Sequence, residues 1–277
     1  MSSPTGLRVG IVGTGEMGRP ALDRLRAAGH AVVAFARRPE ARTALIDAGI
    51  VVVDSLTDLA RDRDVVIVYV YTDDQVRDVA LAGGLVDAME PGSLLIVHTT
   101  GSPATARALA ERAATRDVAV VDAPGSGGPA QVADGTLTLF LGGSDADVER
   151  ARAVCCAYAS TMTHVGPLGT GQAVKLCNNL LFGAQVELAI EAARLAATFG
   201  VDEGVFARTL AGCSGQSASL DLLGAIGSGA ALVEVAGRFI HKDVEVARAV
   251  AEAAGAPLGT FAAIVPTLLD RTRPEEP

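Results

Sequence analysis

The chain has 277 residues, of which 49% are hydrophobic and 20% charged, and its formal net charge is −9 at pH 7. This size fits two domains or one large α/β domain, with a core built on Ala, Val, Leu and Ile because aromatic residues make up only 4%. The negative charge and the absence of any long cluster of Lys and Arg argue against nucleic acid as the main partner.

The first half of the chain alternates short β-branched runs with helix-like segments. Its first apolar run is broken at once by glycines, which indicates neither a signal peptide nor a membrane span. The predicted strands are continuous apolar runs, typical of strands covered on both faces of a parallel sheet. Right-handed β-α-β connections then predict a doubly wound sheet. The first helix is predicted over 16–28, and the strands are 7–13, 31–37, 50–54, 64–71, 93–99, 118–124 and, closing the series, 136–143.

The second half changes character after the Gly- and Pro-rich stretch at 164–171. We place a domain boundary near residue 166, which gives domains 1–166 and 167–277, the second all-helical. The segment 170–199 is predicted to form one helix about 45 Å long, a length suited to spanning domains or packing against another subunit. The tail at 271–277 is expected to fray. Cys155, Cys156, Cys177 and Cys213 have no CxxC or metal-type spacing, so we expect a reduced, cytoplasmic protein without a metal site.

The segment "GTGEMG" follows the first strand and opens the first helix. Gly13 permits a tight turn, Gly15 lets a pyrophosphate approach the backbone, and Gly18 lets helix and strand pack closely. Glu16 and Met17 complete the loop, beside a helix N-terminus that favours phosphate. The alternative is a purely structural turn, but the position after a strand and before a helix favours dinucleotide binding.

The second strand ends in "FARRPE", and its composition bears on which dinucleotide is bound. An acid at this place would bind the ribose 2′-hydroxyl of NAD. Here Arg37 and Arg38 precede the first acid, Glu40. Two guanidiniums suit a 2′-phosphate, which they hold by charge-assisted hydrogen bonds. The sequence therefore predicts NADP, with NAD as an alternative and two solvated loop arginines as the plain structural interpretation.

Two glycine-containing segments, "TTGSP" (99–103) and "DAPGSGG" (122–128), follow later strands, where parallel sheets bind ligands. Ser126, Gly127 and Gly128 offer a hydroxyl and closely spaced backbone N–H groups, a suitable cradle for a carboxylate.

The segment "VKLCNN" places Lys175 in an apolar helical run that we interpret as mostly buried. A buried ammonium is costly unless it is paired or its pKa shifts. Lys175 and Asn179 lie four residues apart and share a face, whereas Asn178 points elsewhere and is expected to serve helix packing. Lys175 is thus a candidate proton-transfer residue, provided that desolvation lowers its pKa toward neutrality.

These motifs, with "HKD" at 241–243, resemble those of the β-hydroxyacid dehydrogenase family, which includes 3-hydroxyisobutyrate, tartronate semialdehyde and 6-phosphogluconate dehydrogenases. The resemblance runs nearly the whole chain. It implies an N-terminal Rossmann domain, a helical C-terminal domain around a long interdomain helix, and dimers or tetramers. It also implies hydride transfer between NADP and a small carboxylate substrate of the 3-hydroxyacid or semialdehyde type.

The resemblance assigns roles to individual substrate residues. Lys175 corresponds to the family's catalytic lysine and Asn179 to its substrate-binding asparagine. Ser126, Gly127 and Gly128 correspond to the loop that binds the substrate carboxylate.

Cofactor contacts are assigned in the same way. Thr100 corresponds to a threonine near the nicotinamide, and Lys242 to a lysine that closes over the cofactor, with Asp243 as its structural companion. Arg37 corresponds to the arginine of NADP-preferring members.

The chain also departs from the family pattern. Val70 and Tyr71 stand where the family has Leu-Pro, and they bring a phenol near the expected cofactor edge or leave an exposed aromatic at a strand end. Val97 replaces a usual Asp and is followed by His98, which is either proton-active or structural. Gly125 replaces Val and is expected to loosen the carboxylate loop. These departures suggest a substrate other than the best-known ones.

Three alternatives stay open at this point. Imine reductases share the layout and the NADP preference but generally replace the lysine that this chain retains. A non-catalytic dinucleotide-binding module would be expected to lose Lys175 or the carboxylate loop. A decarboxylating sugar-acid dehydrogenase is disfavoured by the short helical domain.

Overall fold

The computed structural model describes residues 6–273, so the last four residues of the tail predicted to fray lie outside the described part. The chain divides into two compact units between Lys175 and Leu176. Arg271, at the start of that tail, still belongs to a helix.

The N-terminal unit contains a nine-stranded sheet that is mostly parallel. Its order is β3-β2-β1-β4-β5-β6-β8-β7, with β9 paired to β8. The first six strands are parallel in the 3-2-1-4-5-6 order of the Rossmann fold, so the predicted doubly wound sheet is confirmed. The strands are β1 (Arg8–Val12), β2 (Ala31–Phe35), β3 (Val51–Val52), β4 (Val65–Val68), β5 (Leu94–Val97), β6 (Ala119–Asp122), β7 (Gly125–Ser126), β8 (Leu137–Gly142) and β9 (Ala159–Gly166).

The far end of the sheet differs from the prediction in two ways. β8 runs antiparallel to β6 and β7, so the sheet is not parallel throughout. The expectation that the strand at 136–143 closes the series was wrong, because β9 adds to β8 in parallel. β9 escapes detection because it is an edge strand of largely polar residues with several exposed positions, and such strands lack the buried apolar run on which the prediction relied.

Helices cover both faces of this sheet, and successive residues of a strand serve opposite layers. Val66 belongs to one buried cluster and Ile67 to the other, and both are completely inaccessible to solvent. This two-sided burial is why the strands read as continuous apolar runs. The helices are α1 (Gly18–Ala27), α2 (Pro39–Asp47), α3 (Leu56–Ala60), α4 (Asp73–Arg77) followed by a π-helical turn (Asp78–Ala82), α5 (Leu85–Ala88), α6 (Pro103–Ala114), α7 (Pro129–Asp134) and α8 (Asp145–Cys155).

The long helix predicted at 170–199 is present as α9 (Thr170–Ala197). The second unit contains most of it with α10 (Glu203–Thr209), α11 (Ala218–Ile226), α12 (Gly229–Ala253) and α13 (Phe261–Arg271). Gly183 lets α13 approach α9, since a Cβ there would lie 2.7 Å from Leu268 Cδ2. Arg271 on α13 links the two helices by donating two hydrogen bonds to the buried carboxylate of Glu187 on α9.

Within residues 6–273 no single helix has both the length and the hydropathy to cross a bilayer, although the bent pair Ala218–Ile226 and Gly229–Val235 reaches that threshold jointly.

Candidate active site

The loops that follow β1, β4, β5 and β6 lie side by side, because these strands are neighbours and run parallel. The loops after β4 and β5 are joined directly, since the Thr99 hydroxyl donates to the Val70 carbonyl oxygen over 2.8 Å. The carboxyl edge of a parallel sheet is the usual ligand site of this architecture. The predicted glycine loop, Thr100 and the segment leading to Ser126 are therefore brought to one edge.

The glycine loop contains two glycines that the fold requires and one that it does not. Gly13 has φ +93°, and a Cβ there would lie 2.3 Å from the Tyr69 carbonyl oxygen. A Cβ at Gly18 would lie 1.8 Å from the Gly13 carbonyl oxygen. Gly15 is different, because no heavy atom lies within 4 Å of its added Cβ. The open space at Gly15, in front of the start of α1, fits a dinucleotide pyrophosphate. Glu16 beside it is exposed, and Met17 packs against the core.

Arg37 and Arg38 follow β2, the strand next to β1, and both side chains are exposed. Within residues 6–273 neither guanidinium enters a hydrogen bond or an ion pair of the protein itself. The nearest acid in sequence, Glu40, lies in the first turn of α2. Both guanidiniums are therefore available to an anionic ligand at the end of β2.

The loop after β4 carries the residues that replace the family's Leu-Pro. Val70 is half-buried against the core, and its carbonyl group is held by Thr99. Tyr71 is 47% exposed, and its backbone N–H donates to Gln75 Oε1 over 2.9 Å. Gln75 caps α4 together with Thr72, so the backbone of this loop is fixed.

Some polar groups of the predicted carboxylate loop, residues 126–128, are already hydrogen-bonded within the protein. Ser126 lies in the short strand β7 opposite Thr138 and is half-buried. Gly127 has φ +132°, a conformation that favours glycine. The Gly128 N–H already donates to Gln131 Oε1 over 2.8 Å at the start of α7. The expectation that Gly128 offers a spare N–H is therefore corrected, and the Ser126 hydroxyl is the stronger candidate donor.

Lys175 is half-buried, not enclosed as the apolar sequence around it suggested. Ala173, Val174 and Cys177 beside it are exposed, so the interpretation of a dry helix was wrong here. Sequence patterning failed because exposed apolar residues on α9 look the same as core residues. Only two of the 23 Lys and Arg residues of the chain are lysines, Lys175 and Lys242.

The second unit holds the remaining predicted site residues in one hydrogen-bonded group. The buried Asp243 carboxylate accepts from the Asn179 amide on Oδ2 and from Lys242 Nζ on Oδ1, the latter over 2.5 Å. Asn178 Nδ2 donates to Asn179 Oδ1 over 2.9 Å. This bond helps to fix the orientation of the Asn179 amide, a role beyond the helix packing expected of Asn178 from sequence.

His98 proves to be a structural residue, 2% exposed, with both ring nitrogens engaged inside the protein. Nδ1 lies 2.6 Å from the Ala123 carbonyl oxygen, which can only accept, so this nitrogen carries the proton. Nε2 then accepts from the Tyr158 hydroxyl over 2.8 Å. The Tyr158 hydroxyl also lies 3.1 Å from Cys155 Sγ. Burial lowers the pKa of His98 to about 4.

This shift predicts a pH-dependent contribution to stability. Because the pKa of His98 is lowered from 6.5 to about 4, its contribution is complete above pH 6.5 and is lost as the pH falls toward 4. Relative to His98→Gln, the free energy of unfolding of the native protein should fall by about 2 kcal/mol between pH 7 and pH 5. Chemical denaturation at both pH values measures this; a difference between the two proteins that does not change with pH would contradict it.

Two buried polar residues at this edge were not identified from sequence. Asp122, at the end of β6, accepts backbone N–H groups of Gly169 and Gln172 over 2.6 and 2.7 Å. Desolvation raises the pKa of Asp122 to about 6, against the opposing effect of these N–H groups. Gln172 lies in the first turn of α9 and is also buried. Neither stands out in the sequence, because an Asp in a loop motif and a Gln near a helix start are common in solvated positions.

A Rossmann sheet with an open glycine loop, joined to a helical unit, defines a dinucleotide-dependent oxidoreductase. Residues 8–166 match the family model of the NAD binding domain of 6-phosphogluconate dehydrogenase, and residues 169–275 match that described as NAD-binding of NADP-dependent 3-hydroxyisobutyrate dehydrogenase. The chain belongs to the β-hydroxyacid dehydrogenase family and is a dinucleotide-dependent hydroxyacid dehydrogenase.

Individual relatives agree with this membership. The chain is 33% identical over 265 residues to a 3-hydroxyisobutyrate dehydrogenase of Pseudomonas aeruginosa, covering 92% of this chain and 89% of the relative. It is 31% identical over 266 residues to an NAD-dependent L-serine dehydrogenase of the same organism, with the same coverage. The alignment to the mitochondrial 3-hydroxyisobutyrate dehydrogenase of Bos taurus spans 64% of that protein's length.

Among solved structures, the chain is similar to Mycobacterium tuberculosis 3-hydroxyisobutyrate dehydrogenase with L-serine. The TM-score is 0.86 at 26% identity, and the match covers 96% of this chain and 94% of that one. Imine reductases at 18–20% identity, and a reductive aminase from Aspergillus terreus at 17%, share the fold alone.

Proposed function

We propose that the protein catalyses reversible hydride transfer between NADP and a small 3-hydroxyacid or its semialdehyde, with Lys175 as the general acid and base. The observation that carries this proposal is the retention of lysine at two positions only, both in site motifs, in a chain that otherwise uses arginine. Arginine does not give up its proton in proteins, whereas lysine does so when its surroundings lower its pKa.

In this mechanism the bound dinucleotide supplies or accepts the hydride at its nicotinamide ring. Lys175 protonates the developing alkoxide during reduction and takes the hydroxyl proton during oxidation. The Ser126 hydroxyl and the neighbouring backbone bind the substrate carboxylate. Asn179, whose amide is oriented by Asp243 and Asn178, holds the substrate hydroxyl without adding charge.

The function is tested by a screen of small 3-hydroxyacids and their semialdehydes, with L-serine included because two relatives are described with it. Each compound is assayed with NADP(H) and NAD(H) at the nicotinamide absorbance band, and cyclic imines are assayed beside them. We expect turnover of at least one hydroxyacid. Reduction of imines without turnover of any hydroxyacid would overturn the proposal in favour of an imine reductase.

The preference for NADP is proposed from Arg37 and Arg38. Replacing both by Ala should lower kcat/KM for NADP by about 10²- to 10⁴-fold, since each of the two lost hydrogen bonds to a charged group contributes roughly 1.5–3 kcal/mol. The kcat/KM for NAD should change little. The matched control is Arg116→Ala, an exposed arginine between α6 and β6 at the opposite edge of the sheet. Equal losses with both dinucleotides would mean that these arginines do not read the 2′-phosphate.

We also propose that the chain forms a homo-oligomer through α9. Leu181, Leu188 and Leu195 are 50%, 57% and 62% exposed and lie seven residues apart, so they share one helix face. Such an exposed apolar stripe is typical of a subunit interface. Light scattering after gel filtration should give a particle mass of at least twice the 28.1 kDa chain mass. The Leu188→Glu variant should have a lower particle mass than the native protein. A monomeric native protein at micromolar concentration would refute this interface.

A further inference from the structure

Gln172 makes a pair of hydrogen bonds that the roles assigned so far do not use. Its side-chain Nε2 donates to the Thr99 carbonyl oxygen over 2.8 Å, and its Oε1 accepts from the Gly101 N–H over 2.9 Å. These two backbone groups lie on either side of Thr100. The residue is 2% exposed, so both bonds are shielded from water and costly to lose.

Gln172 is itself held in place by the end of β6. Its backbone N–H donates to Asp122 Oδ2 over 2.7 Å, while Gly169 donates to the other carboxylate oxygen over 2.6 Å. Gly171 lets this turn lie against the sheet, because a Cβ there would be 2.4 Å from the Phe140 carbonyl oxygen. The first turn of α9 is thereby fixed to the sheet at both its backbone and its side chains.

Lys175 follows Gln172 by three residues on the same helix, so the two side chains leave neighbouring faces of one turn. We propose that Gln172 is a positioning residue that sets Thr100, beside the nicotinamide, at a defined distance from the proton-transferring Lys175. This inference rests on the function proposed above. A carboxamide is required because it donates and accepts at once, whereas a carboxylate cannot donate and an apolar chain does neither. Small errors in such geometry have large effects on rate.

The first test replaces Gln172 by Met, which has similar length and no hydrogen bonds to offer. We expect kcat to fall by about 10- to 100-fold, with less than a threefold change in KM for NADP(H), and the primary isotope effect with deuterated NADPH to rise. Gln185→Met is the control, since this half-buried glutamine lies further along α9 and its carboxamide has no partner among the described residues. A kcat within twofold of native, or a loss that matches the unfolded fraction with an unchanged isotope effect, would overturn the proposal.

The second test uses Gln172→Glu, because a protonated carboxyl group donates and accepts as the carboxamide does. Relative to Gln172→Met, activity of this variant should recover as the pH is lowered. The titratable groups on the segments around this position include Asp122 on β6, Asp73 on α4, His98 after β5 and Lys175 on α9; they are common to both variants, so their effects cancel in the comparison. A ratio of the two activities that does not change with pH would count against the proposed role.

A third readout does not need turnover. In the protein without dinucleotide, amide hydrogen exchange at Gly101 should be faster in Gln172→Met than in the native protein and unchanged in Gln185→Met; equal exchange in all three would overturn the inference. The proposed function fails in a different way, namely if the native protein turns over no hydroxyacid. In that case the Gln172 contacts would have no role in catalysis.

Discussion

Replacing Lys175 by Ala is expected to lower kcat by about 10² to 10⁴-fold, the range that general acid and base catalysis contributes. The substitution should slow the chemical step without weakening dinucleotide binding, because Lys175 belongs neither to the glycine loop nor to the arginines after β2. Dinucleotide affinity, measured by the fluorescence of bound NADPH, should stay within about threefold of native.

The matched variant is Lys175→Arg, which keeps the positive charge but holds its proton at any accessible pH. If Lys175 transfers a proton, the arginine variant should be as inactive as the alanine variant. If it only provides charge for substrate binding, the arginine variant should recover most of the rate. A kcat near the native value in Lys175→Ala would remove Lys175 from the mechanism altogether.

The second large effect is expected at Gly15. Gly15→Ala should weaken dinucleotide binding on the order of 10- to 100-fold while leaving the free energy of unfolding nearly unchanged. The added methyl group meets no protein atom within 4 Å and Gly15 has no positive φ, so the fold tolerates it. It would occupy the space that the pyrophosphate needs against the backbone.

Two further glycines make this experiment specific. Gly215→Ala is the control for the substitution itself, because that position is equally open and lies in the helical unit; its dinucleotide affinity should be native. Gly13→Ala should instead destabilise the protein, since its Cβ would overlap the Tyr69 carbonyl group at a positive φ. If Gly15→Ala binds NADPH with native affinity, the dinucleotide does not approach this loop.

Much of the fold could be predicted because its signals are local. Burial of both sheet faces leaves uninterrupted apolar runs, and Val66 and Ile67 show why, each serving a different layer. The long helix is likewise readable from one uninterrupted helical pattern. β9 and the reversal of β8 were not predicted, because an exposed edge strand and the direction of pairing depend on neighbours distant in sequence.

The candidate site likewise has features that could be predicted from sequence and features that could not. Some candidate residues can be recognised from the sequence, because their types and their spacing suit dinucleotide or substrate binding. These are the glycine loop, Arg37, Arg38, Ser126, Lys175 and Asn179. The environment of Lys175 was misjudged, since an apolar residue facing solvent and one facing the core are the same letter in a sequence.

By itself the sequence determined the doubly wound sheet, the long helix and the glycine loop, since these depend on local periodicity and spacing, whereas the hydroxyacid substrate was implied by the resemblance to a family. The tertiary structure alone decided that Gln172 spans the two backbone groups around Thr100, that Asp122 holds the start of α9, that Asp243 joins Asn179 to Lys242, and that His98 is structural. Each of these depends on at least one hydrogen bond between residues far apart in the chain, and a buried polar group reveals its partner only when folding brings the two together.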